Sequence, residues 1–297
     1  MIIILMLIGV LISNQFIGIF YKSFSVLSAD NKKAAPVFMA IWTGILGLAL
    51  LLTTVIINRG FIPSAVTWAA ALSGGLSFVL AGVLYIRILS FGPFIWSVLM
   101  MNLSNFIPVV FSLIFLKEII SLPQIAGVII ILSILFVMSV KSKTRDRLFT
   151  AKWIMLALVT MFANGSILSS QKAQSYYMDG AQTLEYLALL FLSTSLFAVS
   201  YYLIMRAGNK KALRERLNIR PFLLLALGMA AMIGITNILG MNLMKYITAA
   251  VQFPVVIGGS TILSAFISIK LYKEKPGRRL YLSAFMLVIG VILLGIG

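Results

Sequence analysis

Apolar runs of about 20 residues, each closed by a short polar or Gly/Pro-containing gap, repeat along the whole chain. A run of that length is what an α-helix needs to cross a bilayer. Ten such spans are predicted, at 2–21, 36–57, 65–90, 92–116, 122–140, 150–175, 181–205, 221–244, 248–271 and 279–297. Residues that interrupt helices fall in the gaps: Gly60 and Pro63, Gly92 and Pro93, Pro123, Gly180, Gly208, Pro221, Pro276 and Gly277. The longest polar links run from Lys141 to Lys152 and from Arg206 to Arg220. Neither is long enough for a separate domain, so a receptor for soluble proteins has little surface to work with. The apolar N-terminus lacks a basic leader and reads as a first span, not a cleavable signal.

Composition agrees. Hydrophobic residues make up 61% of the 297 and charged residues 10%. Soluble domains are about half apolar and about a quarter charged. A soluble enzyme, a disordered chain and a fibrous protein are all excluded on that count. There is no cysteine, hence no disulfide, thiolate nucleophile or Cys-held metal, and no histidine, the commonest metal ligand. No metal or cofactor is expected. The net charge of +17 reads as loop charge that orients the protein and touches anionic lipid, not as a nucleic-acid surface.

The two halves of the chain are related. A shift of 150 places Asn14 on Asn164, Lys22 on Lys172 and Ser25 on Ser175. A shift of 156 places Lys117-Glu118 on Lys273-Glu274 and Ser104 on Ser260. Residues 1–143 and 144–297 therefore read as two five-span repeats. Because five is odd, the second repeat enters the membrane from the opposite side. Inverted repeats are a signature of secondary transporters, with the substrate site near the midplane at the repeat interface.

A family resemblance rests on particular stretches. The segment from Asn102 through Pro108 to Lys117-Glu118, followed by Pro123-Gln124 and Gly127, resembles the EamA-type domain of the drug/metabolite transporter superfamily. Met244 to Ala250, Lys273-Glu274-Lys-Pro276 and Gly290 are similar to the corresponding parts of a second copy. The second copy departs in having Ser264 where Pro108 would fall. The resemblance implies an all-α integral membrane fold of ten helices in two inverted five-helix repeats. It also implies a cavity lined mainly by spans 1, 3, 4, 6, 8 and 9. It does not specify a substrate.

Charge supplies an orientation. Odd-numbered loops hold 20 of the 24 Lys and Arg, and even-numbered loops hold Arg59, Lys117, Lys172 and Lys245. Cytoplasmic loops carry the basic excess. With ten spans, both termini are expected outside and the 141–152 link inside. Absence of Cys with abundant Ile and Lys fits a bacterial cytoplasmic membrane.

Catalytic motifs are missing: no HExxH, CxxC, GxSxG or phosphate loop occurs. An enzyme is not expected, nor an ATP-driven pump. None of the seven acids sits in mid-span. A mid-membrane carboxylate usually marks a proton or cation site, so its absence counts against drug–proton exchange. Glu185, about a turn inside span 7, is the single candidate for coupling to a proton; its alternative role is an interfacial carboxylate at a helix N-terminus.

Candidate substrate contacts are the polar and aromatic residues inside spans: Asn14, Gln15, Trp42, Arg87, Trp96, Asn102, Asn105, Asn164, Asn237, Asn242 and Gln252. An Arg87 guanidinium in a cavity would grip carboxylate or phosphate through two parallel bonds; otherwise it is a lipid-facing anchor. Each amide is equally suited to interhelical hydrogen bonding. Trp68 and Trp153 lie near span ends, where aromatic belts form. Lys22 and Lys172 are expected to snorkel to the headgroups. Gly92-Pro93, Pro108 and Pro254 are placed to bend spans 4 and 9.

The sequence thus reads as a secondary transporter of a small polar organic metabolite, amino-acid-like or otherwise neutral, zwitterionic or anionic. A multidrug or cationic-compound exporter, a sugar permease and a non-transporting accessory subunit are the alternatives. Expected partners are the solute, membrane lipid and a proton or counter-solute; the chain is a monomer or homodimer.

Overall fold

The structure, a computed structural model, describes residues 2–28, 34–104, 106–117, 121–123, 125–127, 129–130, 133, 150–208, 219–243, 249–273 and 278–296. All regular elements among them are helices. They are α1 (Ile2–Leu27), α2 (Ala34–Asn58), α3 (Ala65–Phe91), α4 (Phe94–Leu103), α5 (Phe106–Phe115), α6 (Ala151–Tyr177), α7 (Thr183–Gly208), α8 (Ile219–Leu243), α9 (Ala249–Leu271) and α10 (Arg278–Ile296). The described residues of 122–133 are helical too.

Among the described residues, six helices are long and apolar enough to cross a membrane: α1, α2, α3, α6, α7 and α8. Large apolar side chains such as Ile56, Ile204, Leu224 and Phe285 stand on the outer surface. In water so large an apolar exterior would drive association, whereas acyl chains accept it. Hydroxyls inside the helices bond back to the preceding turn, as Thr43 Oγ1 does to the Met39 carbonyl (2.6 Å) and Thr160 Oγ1 to that of Leu156 (2.7 Å). Polar groups at membrane depth are satisfied within the helix in this way. The chain is an all-helical, multi-pass membrane protein.

The expected span 92–116 is not one helix. It turns at Ser104 and becomes α4 and α5. Pro108 has no N–H, so the Ser104 carbonyl loses its i+4 partner. The Ile107 N–H donates to it instead at 3.1 Å, and the Ser104 hydroxyl turns back to the Met101 carbonyl at 2.5 Å. The proline that marks the sequence motif is thus the reason the helix divides.

Side-chain contacts define two ends. At one, Lys22 of α1 reaches the Leu89 and Gly92 carbonyls, Trp153 of α6 reaches the Ile88 carbonyl, and Tyr272 lies against Phe94 and under Lys22. Phe222 at the start of α8 packs edge-on to Phe24 and Phe38. These residues border the odd-numbered loops, so this is called the basic end. At the opposite end, Asn58 meets Glu185, and Gln182 accepts from Ser64 N (2.9 Å) and Thr67 Oγ1 (2.8 Å). The 178–182 turn is tight: Asp179, Gly180 and Gln182 all have positive φ. It follows that α1 runs towards the basic end and α6 runs away from it.

Packing crosses the midpoint of the sequence. α2 packs most extensively on α7, α3 on α6, and α1 on α8. Small residues let α2 and α7 touch. A Cβ at Gly47 would lie 2.9 Å from the Leu192 backbone nitrogen. The Ser195 hydroxyl donates to the Ala40 carbonyl of α2 (2.7 Å), and that of Ser193 to the Ala71 carbonyl of α3 (3.0 Å). Close backbone approach with interhelical hydrogen bonds is how helices adhere when no hydrophobic force acts between them.

Candidate functional site

A cavity of about 190 Å³ lies between the α1–α8 pair and the α3–α6 pair. It holds roughly six waters' worth of space at about 30 Å³ each. Ile17 and Tyr21 come from α1, Phe78, Ala81, Gly82 and Tyr85 from α3, Met101 from α4, Asn164 and Ile167 from α6, and Ile233, Thr236 and Asn237 from α8. Helical spacing explains the set: Ile17 and Tyr21, Phe78 with Ala81 and Tyr85, and Ile233 with Asn237 are three or four residues apart and share a face. Counting about 1.5 Å per residue from the helix ends, Tyr21 is roughly 9 Å and Asn164 roughly 20 Å below the basic end. In a hydrocarbon layer of about 30 Å, that is mid-depth.

The lining is aromatic and polar without charge. Tyr21 and Tyr85 meet edge to face, with centroids 5.2 Å apart. Asn164 donates through Nδ2 to the Ser104 hydroxyl (2.6 Å), and Asn237 through Nδ2 to the Ile233 carbonyl of its own helix (2.8 Å). Neither amide oxygen has a protein partner among the described residues. The Thr236 hydroxyl is buried and likewise unpartnered. A buried polar atom without a partner costs about 1–3 kcal/mol. Two free acceptors and a free hydroxyl around one void are therefore groups that a solute can satisfy.

Towards the basic end the way out is filled. Phe24, Phe38, Ile88, Leu89, Phe94 and Trp153 are almost fully buried there. Phe94 packs over Gly18, where an added Cβ would be 3.1 Å from its ring. The phenol pair of Tyr21 and Tyr85 forms the cavity-facing layer of this plug.

The sequence-derived candidates scatter. Asn164 and Asn237 line the cavity. Asn14 precedes Ile17 by about one turn on the same face but is not a lining residue, and its amide makes no hydrogen bond among the described residues. Gln15 is buried with both ends bound to α9: Nε2 donates to the Ser260 carbonyl (3.2 Å) and Oε1 accepts from Ser264 (2.8 Å). It is interhelical glue. Asn102 likewise donates to Thr261 Oγ1 at 2.8 Å, tying α4 to α9. Trp42 stands behind the wall, 5.8 Å from the Phe78 ring, and its buried indole nitrogen has no partner among the described residues. Trp96 is half-buried against the core and does not line the cavity. Arg87 is two residues past Tyr85, about 200° around the helix. It faces away from the cavity, and its guanidinium makes no ion pair among the described residues. Glu185 lies at the opposite end, accepting from Asn58 Nδ2 at 2.6 Å. Asn105 and the side chains of Asn242 and Gln252 lie outside the described residues.

Two further expectations change. Trp153 is not a lipid-facing belt residue: it is 1% exposed, with Nε1 donating to the Ile88 carbonyl at 3.3 Å. Lys22 does not snorkel outwards. It donates to the C-terminal carbonyls of α3, where the helix dipole favours a cation.

Sequence reasoning missed Tyr21, Tyr85 and Thr236. Their signal was present. Tyr85 lies two positions before the arginine that drew attention, and Thr236 adjoins Asn237. A phenol or threonine in an apolar helix is common, however, and only the neighbouring helices show which ones share a void.

Comparison with known proteins adds the fold. No family model matches the chain, and no curated protein is similar to it. Chains of known structure do match. One crystal structure superposes with a TM-score of 0.56 at 14% identity, over 96% of this chain and 95% of that chain. At that identity the likeness is one of fold, and it extends over nearly the whole molecule.

Proposed function

We propose that this chain is a secondary transporter. It moves a small polar organic solute across a bacterial cytoplasmic membrane by alternating access, with ten spans in two inverted five-span repeats. The observation that carries the reading is the mid-depth cavity between the two cross-half helix pairs, α1–α8 and α3–α6. A site at the repeat interface near the midplane is where such transporters bind. The reciprocal packing of the halves supports the repeat, as do the opposite directions of α1 and α6. The EamA-type resemblance points the same way.

The lining favours an uncharged solute. Among the described residues, no carboxylate or guanidinium lines the cavity, so a bare cation finds no counter-charge from them. With Arg87 turned away, a carboxylate lacks its clamp as well. Two amides, a free hydroxyl and two phenols suit a hydroxyl- or amide-bearing molecule. That moves the weight from amino acids towards sugars and other neutral polar metabolites.

The test is thermal stabilisation of the purified protein against sugars, amino acids, nucleotides, amines and lipophilic cations. A ligand of the folded state raises its apparent stability, by about 2.7 kcal/mol at 100 times its Kd. One neutral class is expected to raise the melting temperature, and Thr236→Ala and Asn237→Ala should each diminish the shift. Stabilisation by lipophilic cations alone would support a multidrug exporter. No stabilisation by any class would support an accessory subunit.

A further inference from the structure

The two sequence shifts that relate the halves bring four residues into correspondence. Asn14 matches Asn164, and Ser104 matches Ser260. In the second half's copy of the pair the bond is made: Asn164 Nδ2 donates to the Ser104 hydroxyl at 2.6 Å. In the first half's copy it is not. The Asn14 amide makes no hydrogen bond among the described residues. The Ser260 hydroxyl is buried and has no partner among the described residues. Ser260 nonetheless lies against this turn of α1, because Gln15, next along from Asn14, donates to the Ser260 backbone carbonyl at 3.2 Å. Leu11, one turn earlier, packs against Gly259.

A made bond and an unmade one at related positions is what an inverted repeat produces when its halves adopt different conformations. Exchanging the two conformations turns the cavity to the other side. The state seen here is plugged at the basic end. We infer that Asn164–Ser104 and Asn14–Ser260 are alternating latches, the first closed in this state and the second closed when the basic end opens. This rests on the transporter reading. The first latch also reports to the cavity and to a bend. Asn164 lines the cavity, and Ser104 holds the turn between α4 and α5 through the Met101 carbonyl.

The absence of cysteine makes the test direct. A single reporter, Ile233→Cys in the cavity wall, is reacted with a membrane-impermeant maleimide from each side in oriented vesicles. In the otherwise native chain it is expected to label from both sides. Ser104→Ala removes the latch of the present state and should raise labelling from the basic end about threefold relative to the other side. Ser260→Ala should lower that ratio about threefold. The factor is the effect of one average interhelical hydrogen bond in a membrane. The double variant should return near the parent ratio, and Ser260→Thr, which keeps the hydroxyl, should leave it unchanged. Shifts of both single variants in the same direction, or none with Ser260→Ala, overturn the latch pair but leave transport standing. Labelling from one side only, in the parent and in every variant, overturns alternating access and the latches together.

Discussion

Glycine-to-alanine substitutions at Gly47 and Gly234 should have opposite effects on stability. Both residues lie inside long helices, α2 and α8. Alanine in place of glycine within a helix is favourable by about 0.8–1.0 kcal/mol in either case. Packing separates them. At Gly234 the new methyl would meet only the end of the Leu46 side chain, at 3.3 Å. A terminal methyl group can rotate aside. At Gly47 it would meet the backbone nitrogen and the Cγ of Leu192, each at 2.9 Å. An ordinary contact begins near 3.4 Å, so α7 must retreat by about half an ångström. Backbone cannot rotate away, and overpacking of this kind costs about 1–3 kcal/mol. The retreat also strains the Ser195 bond to the Ala40 carbonyl on the same interface. Gly234→Ala should therefore gain up to about 1 kcal/mol, and Gly47→Ala should lose about 1 kcal/mol net. At about 2–4 °C per kcal/mol, their melting temperatures should differ by roughly 4–8 °C in detergent. If Gly47→Ala melts at or above Gly234→Ala, the tight α2–α7 contact is wrong.

Three other substitutions test separate parts of the structure. Lys22→Met strips a donor from the Leu89 and Gly92 carbonyls; a cost of about 1–3 kcal/mol is expected, with a smaller loss for Lys172→Met, since Lys172 is exposed. Equal losses at both positions would remove the capping role of Lys22. Trp153→Phe removes the N–H to the Ile88 carbonyl together with the pyrrole ring of a fully buried indole; it should lower stability by at least about 1 kcal/mol, and an unchanged melting curve would contradict that bond and that packing. Gly60→Cys and Gly180→Cys, both at the end opposite the basic loops, should react with an impermeant maleimide on intact cells. Labelling only after permeabilisation would reverse the orientation drawn from the charge bias.

The sequence by itself determined the class of the molecule and the order of its helices. Runs of about 20 apolar residues in a chain with 10% charge leave no water-soluble alternative. Where Gly or Pro closes a span the helix boundaries follow to within a few residues, because these residues act locally on φ and on the N–H supply; α1, with neither in the gap after it, runs on to Leu27 past the predicted end at 21. The break at Ser104 was also local, since Pro108 carries it, yet hydropathy does not register it, because both pieces are apolar.

The role of each polar residue was decided only by the tertiary structure. Asn14, Gln15, Asn102 and Asn164 look alike in sequence, being amides in apolar helices. Gln15 and Asn102 spend their donors on α9, whereas Asn164 and Asn237 open onto a void. The difference lies in which neighbour stands across the interface, and that neighbour is up to 249 residues away, as with Ser264 and Gln15. Arg87 and Tyr85 are two positions apart, but rotation about the helix puts the phenol in the cavity and the guanidinium outside it. Composition and periodicity fix which residues lie in the membrane. Which of them meet at one point is set by helix rotation and by the partners that each helix packs against.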